Sequence, residues 1–318
     1  MFFLAYKMWG EIAYNPATLK RRYVTVDVFT NQVFGGNPLA VVLDAQGLST
    51  AQMQSIATEF NYAETTIVLP ARDAAHTAHV RIFTATVEVP FAGHPNVGTA
   101  VVLARELEAA GRPPVDQFLF EEAAGLVPMR LMRAAGAVAG AELTAPVPLS
   151  AGASVSVEDA AACLSLSAAD IRTAAHPPLV LSVGLPFLVV EVGSREALRR
   201  SRPNTLEHER VLPAIGTDAV FAYVHGKIVG ELHARVFAPL DASPEDPATG
   251  SAAAAAISHL AHLRPEADGN LSWRIEQGVD MGRPSLLLGR TEKRGGRVTA
   301  VRIAGHAVPV MHGVLQID

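Results

Sequence analysis

Cysteine is nearly absent from this sequence of 318 residues, which contains only Cys163. One cysteine cannot form an internal disulfide, so the disulfide framework of small secreted domains is excluded. A mechanism that requires two thiols within one chain is excluded as well. Because this low cysteine content is typical of proteins in a reducing compartment, we expect a cytoplasmic protein.

A strong charge of one sign and long apolar runs are also lacking. The net charge of -5 gives no reason to expect nucleic acid or an anionic membrane as a partner. The strongest apolar run, 177–192, is interrupted by Gly184 and Pro186. Lys7 interrupts the apolar start of the chain, and no cleavage site follows it. We expect a soluble protein in which residues 1–20 form an N-terminal extension without an assigned function.

Sequence signals for a metal or a nucleotide are missing too. His259 and His262 are three residues apart, but no third ligand accompanies them, so a solvated helix face explains them better than a metal site. The spacing of Gly93 and Gly98 does not fit a dinucleotide-binding or phosphate-binding loop. We therefore expect no metal and no cofactor.

What the sequence does contain predicts a large, two-part fold. Hydrophobic residues make up 49% of the chain, and its length exceeds what one hydrophobic core usually covers. We predict an α+β fold of two pseudo-symmetric domains, each a mostly antiparallel mixed sheet closed around a central helix. The domains are 21–145 and 146–318, with a linker within 145–154, and the last residues are expected to pack back on the first domain.

Alternating β-branched segments predict the strands, and capping residues or alanine-rich runs predict the helices. The predicted strands are 23–29, 39–43, 65–69, 79–84, 87–89, 118–121, 125–132, 141–143, 179–183, 187–192, 219–223, 233–237, 272–277, 285–288, 297–303 and 307–317. Helices are predicted from a cap at Ser49 to residue 60, after Pro95, over 157–164 and along the alanine run 252–256.

A similar short motif precedes each central helix. The run DPATGSA at 246–252 has the same spacing as HPNVGTA at 94–100. Proline, glycine and strong helix formers in this order predict a helix whose N-terminus is open to an anion. The ionisable side chains of His94 and Asp246 then indicate proton handling between two half-sites. For Asp246, a plain helix cap is the alternative interpretation.

Glu64 is the third candidate for acid–base chemistry, and an exposed carboxylate at a strand end is its alternative interpretation. Several small residues near the helix starts could offer backbone N–H groups or hydroxyls to a carboxylate or phosphate, and tight helix packing is their alternative role. They are Gly93, Gly250 and Ser251, together with Gly98 and Thr99.

The sequence resembles the PhzF family of phenazine-biosynthesis-type isomerases, whose fold is similar to that of diaminopimelate epimerases and proline racemases. The matching motifs follow one another from about residue 23 to about residue 288. They are VDVFT at 26–30, GNPLAV at 36–41, AETT at 63–66, PFAGHP at 90–95, GTA at 98–100, GLP at 184–186, RVF at 235–237, EDPATGSA at 245–252, QG at 277–278 and GRPS at 282–285.

The resemblance implies an active site between the two domains and a homodimer. It implies that Glu64 is the glutamate that carries the proton, supported by His94, Asp246 and Ser251. The family enzyme isomerises trans-2,3-dihydro-3-hydroxyanthranilate by moving a proton across a conjugated ring, without metal or cofactor. The similar epimerases carry a cysteine in each half-site, where this sequence has His94 and Asp246.

Three hypotheses follow for function. The first is a cofactor-independent isomerase of a small, unsaturated, carboxylate-bearing substrate, in which Glu64 moves the proton while His94 and Asp246 orient the substrate and stabilise charge. The second is a racemase or epimerase that pairs Glu64 with Asp246 or His94. The third is a binding protein that has kept the cleft and lost the chemistry. The first two require Glu64, His94 and Asp246 to converge.

Overall fold

The computed structural model describes residues 19–240 and 244–317. Most of the predicted N-terminal extension lies outside these residues, although its last two positions belong to the first strand. The strands are β1 (Leu19–Val28), β2 (Asn37–Val42), β3 (Glu64–Leu69), β4 (Ala78–Phe83), β5 (Glu88–Val89), β6 (Gln117–Glu122), β7 (Gly125–Ala134), β8 (Ala137–Thr144), β9 (Ser150–Ser154), β10 (Leu179–Ser182), β11 (Pro186–Glu191), β12 (Val220–His225), β13 (Glu231–Phe237), β14 (Glu245–Asp246), β15 (Gly269–Gln277), β16 (Ser285–Arg294) and β17 (Arg297–Ile317).

Within the described residues, the helices fall into two long central ones and four shorter ones on the outside of the sheet. They are α1 (Thr50–Phe60), α2 (Gly93–Ala109), α3 (Val157–Cys163), α4 (Arg195–Arg200), α5 (Thr205–Val211) and α6 (Gly250–His262). The predicted cap of α1 is confirmed, because Ser49 and Gln52 form a reciprocal capping box. None of the helices in residues 19–240 and 244–317 combines the length and the apolar composition needed to cross a bilayer.

The strand pairings of the first half of the chain recur in the second half. The pair β1–β2 is antiparallel and is followed by the parallel pairs β2–β3 and β4–β6. In the same order, β10–β11 is antiparallel and is followed by the parallel pairs β11–β12 and β13–β15. Helix α2 packs against strands of the first half and α6 against strands of the second. The predicted α+β class with two pseudo-symmetric halves is confirmed.

The two central helices are buried on nearly every side, as their composition predicts. Val97, Ala100 and Val101 of α2 and the alanine run 252–256 of α6 belong to one continuous core. Alanine side chains are small, so the surrounding strands can approach the α6 backbone closely while still excluding water. The shorter helices cover the outer faces of the sheet with two smaller apolar clusters.

The final strand, β17, connects both halves of the molecule. Its first part pairs with β16, residues 302–306 pair with β8, and the remainder runs along β1 from Ala307 to Ile317. The expectation that the last residues return to the first half agrees with this pairing. The sequence predicts two strands here, at 297–303 and 307–317, whereas the structure has one continuous strand. A side chain at Gly305 would overlap the Phe29 ring, which explains the glycine without a break in the strand.

Two other regions differ from the sequence prediction. The linker predicted within 145–154 contains β9, which pairs with β10. Helices α4 and α5 were not predicted, because each is shorter than two turns and too short to show a clear apolar period. The division into domains at residue 145 stays a prediction.

Candidate active site

The two central helices begin opposite each other. A Cβ atom built on Gly93 would lie 3.5 Å from the Cα atom of Gly250 and 3.7 Å from the backbone nitrogen of Ser251. The N-cap residues, Ala92 and Thr249, do not cap the helices with side-chain hydrogen bonds. The first-turn N–H groups of a helix have no partner within the helix, and the helix dipole favours negative charge there. This gap is therefore suited to an anionic group.

His94 lies in the first turn of α2 and is 5% exposed. Burial lowers its pKa to about 3, so the ring is neutral at neutral pH. Its Nε2 atom has no hydrogen-bond partner among the described residues, and the Oε2 atom of Glu64 lies 3.5 Å away. Its Nδ1 atom lies 3.3 Å from the Nδ2 atom of Asn37. His94 thus stands between a carboxylate and a buried amide.

Glu64 is the first residue of β3, next to β2 in the sheet. Its side chain is 20% exposed, which is less than an open strand end would give. The carboxylate faces the ring of His94 at the distance given above and retains limited access to solvent. This position agrees with a group that meets a substrate better than with an exposed surface carboxylate.

Asp246 is held in a loop before α6. Its Oδ1 atom accepts a hydrogen bond from Asn37 Nδ2 at 2.7 Å, and its Oδ2 atom accepts one from the Thr249 hydroxyl. The alternative interpretation as a helix cap is wrong, because α6 begins at Gly250 with Thr249 at its N-cap. Asp246 instead belongs to the short strand β14, where it pairs with Val236.

The equivalence inferred between the runs at 94–100 and 246–252 is also wrong. Each central helix begins four residues after a two-residue strand, so Gly250 corresponds to Gly93 and Asp246 corresponds to Val89. Helix α2 starts before Pro95, which occupies its first turn and needs no N–H partner there. The candidate site is therefore asymmetric, with one carboxylate and one histidine from the first half and one carboxylate from the second.

Two residues considered for anion binding have packing roles instead. A Cβ atom on Gly98 would lie 2.5 to 2.9 Å from the side chains of Leu39, Val26 and Val28, so the close approach of β1 and β2 to α2 requires glycine. The hydroxyl of Thr99 is buried and lies 2.9 Å from the hydroxyl of Thr66. For Gly98 and Thr99 the packing alternative is correct.

Three side chains that the sequence did not assign to the site hold it together. Asn37 contacts both His94 and Asp246. Gln277 is fully buried and donates to the Asp246 carbonyl at 2.8 Å and the Thr249 hydroxyl at 3.0 Å, while its Oε1 atom accepts from the Thr249 backbone N–H at 3.1 Å. The sequence signal that could have identified them is their position in the family motifs quoted above, which contain Asn37, Thr249 and Gln277.

The remaining sequence candidates lie elsewhere. No group of three metal-binding side chains occurs in the described ranges 19–240 and 244–317. His259 packs its ring against that of His176, with 5.1 Å between the centroids. Cys163 is buried in α3, and burial raises the pKa of its thiol to about 11. Cavities of about 410 and 480 Å³ are lined by other residues than Glu64, His94 and Asp246.

Comparison with known proteins identifies the family to which the chain belongs. Residues 26–313 match the model of the PhzC-PhzF family of phenazine biosynthesis-like proteins. The chain belongs to this family. An uncharacterized isomerase of Mesorhizobium japonicum is 39% identical over 93% of the chain and 99% of its own length. The trans-2,3-dihydro-3-hydroxyanthranilate isomerase of Pseudomonas aeruginosa is 34% identical over 92% of the chain and 98% of its own length.

Solved structures agree with the architecture of this PhzC-PhzF member. A PhzF-family phenazine biosynthesis protein of Bacillus anthracis superposes with a TM-score of 0.82 at 24% identity, covering 94% of this chain and 100% of that one. A hydroxyproline epimerase of Agrobacterium vitis superposes with a TM-score of 0.63 at 14% identity, covering 94% and 92% of the two chains. At these identities the likeness shows the fold alone, which is the epimerase-like fold. Together with the named isomerases among its relatives, the family places this chain among the isomerases.

Proposed function

We propose that this chain moves a proton between two carbon atoms of a small, unsaturated substrate that carries a carboxylate, without a metal or a cofactor. The observation that carries the proposal is the approach of Glu64 Oε2 to the buried, neutral ring of His94, beside the opposed starts of α2 and α6. The relatives named as trans-2,3-dihydro-3-hydroxyanthranilate isomerases support this class of substrate.

Glu64 is the general base and acid in this proposal. A carboxylate on the first residue of a strand is held by the sheet, while its 20% exposure leaves room for a substrate carbon to reach it. It removes a proton from one carbon, the electrons move along the conjugated system, and the same carboxyl returns the proton to a second carbon. Because one group performs both transfers, the two carbons must lie on the same face of the substrate.

His94 and Asp246 stabilise and orient the substrate. Removal of a proton from carbon places negative charge on the conjugated system and its carboxylate. The neutral ring of His94 can donate a hydrogen bond to that charge without adding a full positive charge to the buried site. Asp246 is fixed by Asn37 and Thr249, so it can accept from a substrate hydroxyl or amino group with little further ordering.

The substrate carboxylate is assigned to the gap between the two helix starts. Gly93 and Gly250 contribute no side chain to this gap, and the backbone nitrogen of Ser251 lies beside it. Helix N-termini bind carboxylates through their orphan N–H groups and the helix dipole. This assignment gives Gly93, Gly250 and Ser251 the substrate-binding roles predicted from the sequence.

The test is turnover in deuterated water, followed by proton NMR. The purified chain is incubated with trans-2,3-dihydro-3-hydroxyanthranilate and with a panel of cyclic and acyclic unsaturated amino acids. A product with a transposed double bond supports the proposal. Each active compound is also supplied as its carboxamide, which removes the anionic charge, and the amide should not be turned over. Absence of both transposition and solvent exchange across the panel would overturn the proposal.

The two other hypotheses give different results in the same experiment. A racemase or epimerase that uses Glu64 with Asp246 or His94 would incorporate deuterium at a single carbon, with inversion and no transposition. A binding protein would retain a ligand tightly while leaving its carbon-bound protons unexchanged. The homodimer, the cytoplasmic location and the role of residues 1–20 stay predictions from the sequence.

A further inference from the structure

Asn37 connects the acid–base groups contributed by the two halves of the chain. It is the first residue of β2 and is fully buried. Its Nδ2 atom lies 2.7 Å from Asp246 Oδ1, 3.0 Å from the Ala248 carbonyl oxygen and 3.3 Å from His94 Nδ1. Two acceptor oxygens of the second half and one ring nitrogen of the first half therefore meet at one amide nitrogen.

The orientation of this amide is determined by its surroundings. If the amide were rotated by half a turn, its oxygen would face the Asp246 carboxylate and the Ala248 carbonyl, and two hydrogen bonds would become repulsive contacts. In the observed orientation the Oδ1 atom is buried and has no hydrogen-bond partner in the part of the chain that the structure describes. Burial of an unpaired carbonyl oxygen is unfavourable, so the contacts of Nδ2 have to outweigh that cost.

The fixed amide dictates which nitrogen of His94 carries the proton. A proton on Nδ1 would point at the N–H groups of Asn37 across 3.3 Å, which places donor against donor. The Nδ1 atom is therefore an acceptor. Burial keeps the ring neutral by lowering its pKa to about 3, so the single ring proton resides on Nε2. That atom is 3.5 Å from Glu64 Oε2.

We propose that Asn37 is a positioning residue that holds His94 in the tautomer with its proton on Nε2, directed toward Glu64 and the substrate. In this tautomer the side of His94 that faces the substrate can donate a hydrogen bond but cannot accept a proton. Glu64 and His94 therefore have different roles, because only Glu64 can remove the proton from carbon. The catalytic part of this inference rests on the proposed function, whereas the tautomer does not.

The tautomer can be observed directly by NMR of protein labelled with ¹⁵N in its histidines. The signals of His94 among the 11 histidines are assigned by their loss in His94→Gln. In the unchanged protein, we expect the Nδ1 resonance in the range of unprotonated ring nitrogens and the Nε2 resonance in the range of protonated ones. Neither should move between pH 5 and pH 8.

Two substitutions of Asn37 test whether its amide determines the tautomer of His94. Asn37→Asp replaces the amide by a carboxyl group of the same shape, which sets one oxygen against Asp246 Oδ1 as well as against His94 Nδ1. When this carboxyl is ionised it can only accept, so we expect the proton of His94 to move to Nδ1. Asn37→Leu removes the donor at similar volume, so we expect the two tautomers to become mixed. Asn96→Leu is the matched control, because Asn96 is also buried, lies in the same turn of α2 and bonds to the Ala92 carbonyl. It should lose stability and leave the His94 signals unchanged.

Kinetics then connect the tautomer with catalysis. For Asn37→Asp we expect kcat to fall about 10²- to 10⁴-fold, the range for a misdirected acid–base group, with a smaller change in KM. A proton on Nδ1 in the unchanged protein, or an Nε2 proton that persists in both Asn37 variants, would overturn the inference. The NMR result stands without any substrate, so failure of the proposed function and failure of this inference are distinguishable.

Discussion

Gly93 and Gly250 face each other at the starts of the two central helices, and a Cβ atom on Gly93 would lie 3.5 Å from the Cα atom of Gly250. The two glycines come from opposite halves of the chain, and each is the first residue of its helix. Neither contributes a side chain to the gap between the helix starts. Its suggested occupant, a substrate carboxylate, can be displaced by a single methyl group.

Gly93→Ala should therefore weaken substrate binding while the fold is retained. The contacts of the added methyl with protein, 3.5 to 3.8 Å, are ordinary, and alanine favours a helix by up to about 1 kcal/mol over glycine. A carboxylate pushed away from the N–H groups loses a charge-assisted hydrogen bond, so we expect KM to rise roughly tenfold or more. Gly98→Ala is the control, because its methyl would collide with Leu39 and should cost about 1 to 3 kcal/mol of stability. An unchanged KM in Gly93→Ala would show that the substrate carboxylate does not bind in this gap.

Glu64→Gln should separate chemistry from binding. Glutamine keeps the shape of the side chain and can hydrogen-bond to His94, but it cannot accept a proton from carbon. We expect kcat to fall by about two orders of magnitude or more, with little change in ligand affinity or melting temperature. The measurements are steady-state kinetics and calorimetric titration with a substrate or product. Full turnover by the glutamine variant on a verified substrate would transfer the role of base to another residue.

Substitutions of Asp246 should distinguish its charge from its structural contacts. In Asp246→Asn the remaining oxygen can still accept from Asn37, and the new amide can donate to Thr249, so stability should change little while activity falls at least about tenfold. Asp246→Ala removes both contacts and should also lower the free energy of unfolding by about 1 to 3 kcal/mol. Equal activity of Asp246→Asn and the unchanged protein would show that the negative charge is not needed.

Glu122 should make the protein less stable as the pH rises. Both carboxyl oxygens are buried, and this burial raises the pKa to about 8 although the nearby Asn96 side chain acts to lower it. Between the ordinary value near 4.5 and pH 8, the folded protein keeps this proton and the unfolded chain releases it. The free energy of unfolding therefore falls with rising pH in that window, by at most about 1.4 kcal/mol per pH unit.

Glu122→Gln removes this dependence, because glutamine does not titrate. In urea unfolding from pH 5 to pH 8, the variant should gain stability over the unchanged protein as the pH rises. Glu121→Gln is the neighbouring control. Hydrogen bonds from the backbone of Asp73 and Arg72 and from His76 hold the Glu121 pKa near 2, so its contribution is constant above pH 5 and is lost only in acid. Parallel curves for Glu122→Gln and the unchanged protein would contradict a raised pKa at Glu122.

Local sequence signals were sufficient for the elements that depend on local chemistry. The cap at Ser49, the β-branched strands and the buried central helices follow from propensity and pattern, and the structure has them with small shifts of their ends. The sequence predicts two strands where β17 is continuous. Gly305 is required by its contact with the ring of Phe29, a residue that is remote in sequence. A local pattern cannot reveal such a neighbour.

In the candidate site, too, local sequence patterns did not reveal contacts between residues that are remote in sequence. Glu64, His94 and Asp246 were identified individually, but the equivalence of His94 with Asp246 depended on a repeat in composition that the helix starts do not follow. Asn37 could not be placed from its surroundings in the sequence, since its partner Asp246 is 209 positions away. Its role is a property of the folded arrangement alone.

The course of β17 also has a consequence for how the protein is made. Leu19 pairs with Ile317, which follows it by almost 300 positions, and all of β1 has β17 as a neighbour. During translation, the N-terminal half emerges from the ribosome well before residues 307–317 have been synthesised. Until then, one edge of β1 is without the strand that covers it in the finished protein, and open edges favour pairing with other chains. Completion of the first half therefore has to wait until residues 307–317 have been synthesised.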